Sequence, residues 1–179
     1  MNKIILFACL SLLLGCQNTP HRNPLINHNS YIESTYEAVD KLSAQLSQHT
    51  HYLNKNEPIL VATLVSVDEL ESASRLGRSI SEQVAARLTQ KGFKVVEVKL
   101  RGSLFVKRAE GELLLSREIA QISQSYKAPA VVVGTYAPAT NFVHINLKVV
   151  SADSQLVLAA EDYGLPLDEN TKTLLNSGR

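Results

Sequence analysis

The residue with the most evident chemistry in this chain is Cys16, because of the segment that precedes it. That segment has one basic residue, Lys3, then an apolar run from Ile4 to Leu14, then the small residue Gly15. A charged start, a short apolar stretch and a small residue at the end are the order of a secretory signal peptide. Eleven residues of helix reach only about half of a ~30 Å hydrocarbon core. The sequence therefore predicts a cleaved signal over residues 1–15 and no transmembrane helix there.

The pair Gly15-Cys16 resembles the lipobox of bacterial lipoproteins. In that motif the peptide bond before the cysteine is cut and the cysteine thiol is acylated, so the resemblance implies cleavage between Gly15 and Cys16 and a lipid on Cys16. Secretion without a lipid is the alternative, but it would leave an exposed terminal thiol in an oxidising compartment. The next residue is Gln17 and not an aspartate, which in lipoproteins implies export to the outer membrane.

The numbers of cysteine and charged residues exclude several classes of function. Cys9 lies in the signal and Cys16 would be acylated, so the rest of the chain has no thiol for a disulfide, a metal site or catalysis. The signal holds one of the 18 basic residues, which leaves 17 basic against 17 acidic residues. This neutral balance argues against binding to nucleic acid. The chain has no Trp on which sugars or bases could stack, and protein partners are the expected class.

The other residue types that could do chemistry lack partners at a useful spacing. His49 and His51 are two positions apart, which on a helix places them on different faces. His144 falls on the polar face of a predicted strand, where exposure to solvent explains it. No Gly-x-Ser-x-Gly elbow occurs, and close approach of the backbone or a bend explains Gly134 better than a phosphate loop does. We expect no enzyme activity, no cofactor and no metal.

A group of basic residues with an apolar centre is the candidate for docking a protein partner. Lys99, Arg101, Lys107 and Arg108 surround the sequence Leu104-Phe105-Val106. The alternative is a strand end and a loop with ordinary solvated charges. The residues assigned to the candidate docking patch are Arg101, Phe105, Lys107 and Arg108.

Two segments precede the compact part of the chain. Residues 16–30 are polar and contain two prolines, a composition that predicts a flexible tether. Ser30 and Glu33 then form a capping box before a predicted helix over residues 31–53. This amphipathic helix either packs on the following domain or offers its apolar stripe to a partner. The stripe consists of Ile32, Tyr36, Val39, Leu42, Leu46 and Leu53.

The first unit of the compact part has the pattern strand–helix–strand. Residues 58–65 are continuously apolar and β-branched, which predicts a buried strand. Asp68 and Glu71 form a second capping box before a helix that runs to Lys91 and ends at Gly92 in the left-handed conformation. The expected core face of this helix is Leu70, Ala73, Leu76, Ile80, Val84 and Leu88.

The remaining segments complete an α+β fold. They are a strand at 93–98, a short excursion or loose hairpin at 99–115, a helix from 116 that carries Ile119, Ile122 and Tyr126, a buried strand at 130–136, and two strands at 142–149 and 156–161. We expect a single domain over residues 58–165. Its order is β-α-β-α-β-β-β, a mixed sheet with helices on one face, and residues 166–179 follow it as a polar tail.

Four stretches of this sequence are similar to the FlgO family. They are Gly92–Val98, Arg101, Gly111-Glu112-Leu113-x-Leu115-Ser116-Arg117-Glu118 and Val132–Tyr136. The similarity covers about residues 58–165. It implies a fold similar to the N-terminal domain of TolB and to small lipoproteins that activate peptidoglycan synthases. The motif residues have structural roles under this resemblance, with Gly111 in a tight turn and Ser116 as a helix cap.

Members of this family are outer-membrane proteins of the bacterial flagellum, and many are lipoproteins. The resemblance implies a structural or assembly component needed for motility, anchored in the outer membrane with its domain facing the periplasm. The implied partners are membrane lipid through acylated Cys16, flagellar ring or other flagellar outer-membrane proteins, and further copies of this chain, with no nucleic acid. The alternative function is a non-catalytic activator of a peptidoglycan synthase, for which the tether of about 15 residues is short.

Overall fold

The computed structural model describes residues 31–48, 53, 56–70, 73–98, 105–107, 113–115 and 117–176, and it describes the backbone alone for 105–107, 113–115, 117 and 118. These residues form one α+β domain. Its elements are α1 (Tyr31–Leu46), β1 (Pro58–Ala62), β2 (Val65–Ser66), α2 (Arg75–Gln90), β3 (Lys94–Val98), β4 (Phe105–Lys107), β5 (Leu113–Leu115), α3 (Arg117–Tyr126), β6 (Ala130–Pro138), β7 (Phe142–Ser151), β8 (Val157–Pro166) and α4 (Glu169–Asn176). Within these ranges no helix combines the length and the apolar character needed to cross a membrane.

The strands form a mixed sheet in the order β3-β1-β6-β7-β8. β1 runs parallel to both β3 and β6, while β6, β7 and β8 form an antiparallel meander. β2 continues the line of β1 along β6, but Ile59 pairs with Ala130 whereas Val65 pairs with Thr135. The β1–β2 side therefore contains one extra residue, a bulge at Thr63-Leu64. A predicted continuous strand over 58–65 is thus interrupted at this point.

The sheet carries helices on both faces, whereas the sequence suggested helices on one. Ile59 and Val61 of β1 belong to the core beneath α1 and α2, and Leu60 and Ala62 belong to a second core with Ile119 of α3. The connections explain the difference. The crossover from β1 through α2 leads to one side, and the crossover from β3 through α3 returns past β1 to β6. Because both crossovers are right-handed, their helices lie on opposite faces.

Helix α1 ends at Leu46 and not at residue 53, and residues 49–52 lie outside the described ranges. Its buried face contains Val39, Leu42 and Leu46 as predicted, while Ile32 is 42% exposed. Small polar residues share the buried face because their hydroxyl groups bond within the helix, as Ser43 Oγ does to the Val39 carbonyl at 2.7 Å. The helix packs on α2 and β8 of its own domain.

Helix α2 begins later than predicted. Its N-cap is Ser74, whose hydroxyl accepts the Gly77 N–H at 3.2 Å, and not Asp68. The reason is that the Val67 N–H still bonds to the Tyr136 carbonyl, which keeps this part of the chain along β6. The predicted core positions from Leu76 to Leu88 are buried. The predicted left-handed residue is confirmed, since Gly92 has φ of +86°.

The C-terminal part also differs from the sequence expectation in extent. β8 continues to Pro166, and residues 169–176 form α4 where a polar tail was predicted, so that part of the prediction is wrong. Asp168 caps α4 by accepting the Thr171 N–H at 2.8 Å, and this hydrogen bond lowers the pKa of the Asp168 carboxyl. Leu174 and Leu175 of α4 pack against the core beneath α2. The loose hairpin is confirmed as β4 paired with β5.

Candidate interaction surfaces

The predicted docking patch lies only partly within the described residues. Arg101 and Arg108 fall outside them, as do Gly15 and Cys16. Phe105 and Lys107 lie in β4, where they pair with Leu115 and Leu113. The structure therefore places two of the four patch positions on one short hairpin strand.

This hairpin is inserted where α/β sheets commonly bind ligands or partners. It lies in the chain between the carboxyl end of β3 and the start of α3. The helices that follow β1 and β3 lie on opposite faces of the sheet. The hairpin thus follows the edge strand β3, at the end of the sheet where the connection after β1 also begins.

The neighbouring connection between β1 and α2 is tightly fixed. The Leu64 N–H donates to Ser81 Oγ at 2.8 Å, and the Ser74 N–H donates to Tyr136 Oη at 3.0 Å. Gly77 allows this approach, because a Cβ there would meet the Leu64 carbonyl oxygen and would lie 2.9 Å from the Tyr136 ring. The connection between β1 and α2 is therefore a rigid support, bound to both α2 and β6.

Gly134 on β6 also allows close packing around Leu64. A Cβ at Gly134 would lie 2.8 Å from Leu64 Cγ and 2.7 Å from the Asn146 carbonyl oxygen. The prediction that close backbone approach explains this glycine is confirmed. Sequence reasoning missed Gly77, although a glycine inside a predicted helix is itself a signal of close packing.

An ion cluster fixes α1 to α2. Arg87 donates to both carboxylate oxygens of Asp40, each at 2.7 Å, and Lys91 Nζ lies 3.1 Å from Asp40 Oδ1. The hydrogen bonds from Arg87 hold the pKa of the Asp40 carboxyl below its usual value. The Arg87 guanidinium also lies 5.1 Å from the centre of the Tyr36 ring. Such a bidentate ion pair fixes the orientation of α1 relative to α2 as well as its attachment.

A second set of contacts joins α1 to the outer strand β8. The Gln45 side chain donates to the Ala160 carbonyl at 3.0 Å and accepts the Ala160 N–H at 3.1 Å. Lys41 pairs with Glu161 at 2.9 Å, and Thr35 bonds to the Tyr163 hydroxyl at 2.9 Å. Burial raises the pKa of the Tyr163 phenol well above its usual range.

Helix α1 therefore protects the sheet edge and does not present a free apolar stripe. Its buried side chains pack on its own domain, and Gln45 satisfies backbone groups of β8 that could otherwise pair with another chain. Of the two possibilities left open by the sequence, packing on the following domain is the one observed.

The described residues hold no group of three or more His, Cys, Asp or Glu side chains placed to bind a metal. His144 is exposed as predicted, with Nε2 3.4 Å from Asp162 Oδ1, and Asn146 donates to the same oxygen at 2.7 Å. His49 and His51 lie outside the described ranges.

One of three solved structures similar to this chain supports the fold. The C-terminal domain of LpoB from Salmonella enterica aligns with a TM-score of 0.51 and 11% identity, covering 76% of this chain and 98% of that domain. The Escherichia coli domain gives 0.49 with the same identity and coverage. TolB from Acinetobacter baumannii aligns with a TM-score of 0.30 and 14% identity, over 63% of this chain and 24% of TolB. No curated protein sequence matches significantly.

The family assignment rests on sequence. The family model of the FlgO protein matches residues 36–170. The match begins inside α1 and ends inside α4, so it spans nearly all of the described domain. The match includes Asp40, Lys41 and Gln45 of α1, which contact α2 and β8, so most of the N-terminal helix is part of the family domain. The chain belongs to the FlgO family.

Proposed function

We propose that this protein is an outer-membrane lipoprotein that acts as a structural or assembly component of the bacterial flagellum and is needed for motility. The observation that carries the proposal is the family match over residues 36–170. The lipobox-like pair Gly15-Cys16 supports a lipid anchor. Two or more acyl chains, at ~0.8 kcal/mol per buried methylene, give stable attachment to a membrane.

The position of the hairpin supports the docking part of the proposal. A basic segment with an apolar centre follows the carboxyl end of β3, and the connection that follows the neighbouring strand β1 is held rigid by Tyr136 and Ser81. A rigid support lowers the entropy lost on binding. The fifteen residues 16–30 precede α1 and could extend to about 50 Å. Because α1 is fixed to α2 and β8, we propose that the anchor holds the whole domain at that distance from the membrane.

Gene deletion followed by complementation tests the proposal. Deletion should reduce swimming, and the wild-type gene should restore it. Cys16→Ala should remove the protein from the outer-membrane fraction, whereas Cys9→Ala, in the signal, is a matched control that should not. Unchanged outer-membrane fractionation of Cys16→Ala would contradict the anchor, and normal swimming of the deletion strain would contradict the flagellar role.

The docking patch is tested by charge reversal. Lys107→Glu combined with Arg108→Glu should reduce swimming and the recovery of flagellar outer-membrane proteins in pull-downs. Lys94→Glu, at an exposed position of β3, is the matched control and should leave both unchanged. Full activity of the double variant at normal protein level would remove the patch from the proposal.

The second candidate function is activation of a peptidoglycan synthase. The observation that favours it is the fold shared with the LpoB C-terminal domain at a TM-score of 0.51, since the sequence resemblance also includes synthase-activating lipoproteins. Under this function the deletion strain would swim normally and its cell wall would show altered crosslinking. Reduced swimming with unchanged crosslinking would instead favour the flagellar function.

A further inference from the structure

The turn between β7 and β8 presents two exposed aliphatic side chains. Leu156 is 56% exposed and Val157 is 53% exposed, the two highest values among the large apolar side chains of the described residues. The Ser151 N–H donates to the Leu156 carbonyl at 2.9 Å, and the Gln155 N–H donates to the Ser151 carbonyl at 3.0 Å. Gln155 has a φ of +58°, a conformation that is uncommon for residues other than glycine. The two side chains are therefore held at the surface by a turn of fixed shape.

A cavity of about 260 Å³ lies beside this turn. The apolar part of its lining consists of Ala120, Ala128, Pro129 and Ala152. The Ala152 N–H donates to the Pro129 carbonyl at 2.9 Å, which holds the turn against the start of β6. A cavity of about 150 Å³ is large enough for a benzene molecule. This cavity therefore has room for an aliphatic side chain.

The exposed side chains and the cavity belong to one surface. Ala152 and Asp153 line the cavity, and Leu156 follows them in the same turn without lining it. A protruding side chain next to a cavity is self-complementary about a twofold axis, because the side chain of each copy can enter the cavity of the other. We propose that two copies of this chain form a dimer through this surface, with Leu156 of each copy in the cavity of the other.

The charged residues at the rim of the cavity fit the same arrangement. Lys127, directly after α3, is positively charged, and Asp153 in the turn is negatively charged; both side chains are exposed. When the turn of one copy enters the cavity of the other, its Asp153 reaches the rim that holds Lys127 of the other copy. The twofold axis forms this pair of opposite charges twice, which favours association with a second copy.

The position of α1 leaves the two copies free to approach. α1 begins with Tyr31 beside Ser79, near the start of α2, and ends with Gln45 bonded to Ala160. The chain therefore enters the domain at the edge of the sheet opposite the cavity. Under the proposed lipid anchor, tethers of up to about 50 Å allow two anchored copies to meet. The contact itself depends on the folded domain and not on the flagellar role, so either proposal can fail without the other.

Sedimentation equilibrium of the chain from residue 16 onward, with Cys16→Ala so that no detergent is needed, tests the dimer. A contact centred on one turn per copy is smaller than the interfaces of stable dimers. We therefore expect a monomer–dimer equilibrium with a dissociation constant of about 10–100 μM. The proposal is overturned if the protein stays monomeric up to about 1 mM, ten times the upper expected value, or if it assembles beyond a dimer.

Substitutions on the two halves of the contact distinguish it from other modes of association. Leu156→Ser removes the side chain that enters the cavity, and Ala120→Leu fills the cavity, so each should raise the dissociation constant at least about tenfold. Val67→Ser is the matched control for the first, since Val67 is 51% exposed after β2. Gln121→Leu is the control for the second, since Gln121 is exposed on α3 and does not line the cavity. Both controls should dimerise as the wild type does.

The surface position of Leu156 makes its variant decisive even if Ala120→Leu fails to fold. Leu156→Ser should keep the melting temperature of the wild type, and wild-type dimerisation of this variant would overturn the proposal. Loss of dimerisation in Val67→Ser as well would show that the association is non-specific and would also overturn it.

Charge reversal tests the arrangement of the two copies. Lys127→Glu should weaken the dimer several-fold, because it brings two carboxylates together at each rim. Adding Asp153→Lys should restore the wild-type dissociation constant, since the pair is then reversed and not removed. Two unrelated structural effects would add to each other and not cancel. A double variant that dimerises no better than Lys127→Glu alone would overturn the proposed arrangement.

Discussion

Replacement of Leu42 by alanine tests whether α1 is part of the folded domain in solution. Leu42 is 1% exposed and lies in the core between α1, α2 and β8. Leu42→Ala removes about three methylene equivalents, worth about 2.4 kcal/mol at ~0.8 kcal/mol each. Incomplete collapse of the resulting cavity raises the loss to about 3 kcal/mol.

A loss of this size is easily measured. For a protein of 150–250 residues it corresponds to a decrease in melting temperature of about 6–12 °C. Ile32→Ala is the matched control, because Ile32 lies on the same helix and is 42% exposed. Its cost should stay below about 1 kcal/mol. Thermal unfolding followed by circular dichroism, with a single transition in both variants, measures the difference.

Hydrogen exchange supplies a second measurement. Because Gln45 bonds to both backbone groups of Ala160, loosening of α1 in Leu42→Ala should increase amide exchange in β8. Exchange in β1, at the centre of the sheet, should change less. If Leu42→Ala and Ile32→Ala unfold at the same temperature, α1 does not contribute to this core, and our assignment of the helix to its own domain is wrong.

Two further predictions concern the ion cluster and the connection between β1 and α2. Asp40→Asn should destabilise the protein at neutral pH, because it removes the ion pair with Arg87. The loss should be only about 0.5–1 kcal/mol, since this pair is partly exposed to solvent. Denaturant unfolding at a series of pH values measures the difference. The folded pKa of Asp40 is lowered from its usual value of 3.8, so the difference from wild type should persist above that pH and disappear as the pH falls through the folded pKa. Gly77→Ala should lower the free energy of unfolding by about 1–3 kcal/mol, because the new Cβ overpacks against Leu64. This loss should exceed the loss in the control Gly92→Ala, where only backbone strain is added at an open site. A Gly77→Ala variant that melts no lower than Gly92→Ala would contradict the close approach.

The main elements of the fold could be predicted from local patterns. The alternation of Val143, Ile145, Leu147 and Val149 determines a half-buried strand wherever the strand lies, and all four are buried. Gly92 marks the end of α2 because a left-handed residue there satisfies the last carbonyls of the helix. The boundaries were less predictable. Asp68 has the residue type of a helix cap, but a tertiary hydrogen bond from Val67 to β6 delays the helix to Ser74.

The candidate sites also differ in whether local sequence or tertiary structure reveals them. The lipobox-like pair is a local covalent motif, so the sequence is sufficient to propose it. A surface cavity lined by Glu57, Ser123 and Asp153 is not local, because these residues lie before β1, in α3 and after β7 and meet only when β1, β6 and β7 are side by side.

The amino-acid sequence by itself determined the α+β class and the family, and it is sufficient to propose the signal and the cysteine for the anchor, because each is encoded in adjacent residues or in a short period. The tertiary structure alone decided where α1 packs, on which face α3 lies, and which loops meet at each edge of the sheet. These features depend on the order of the strands and the handedness of their crossovers. They bring together residues as distant as Gln45 and Ala160, and no local pattern specifies such pairs.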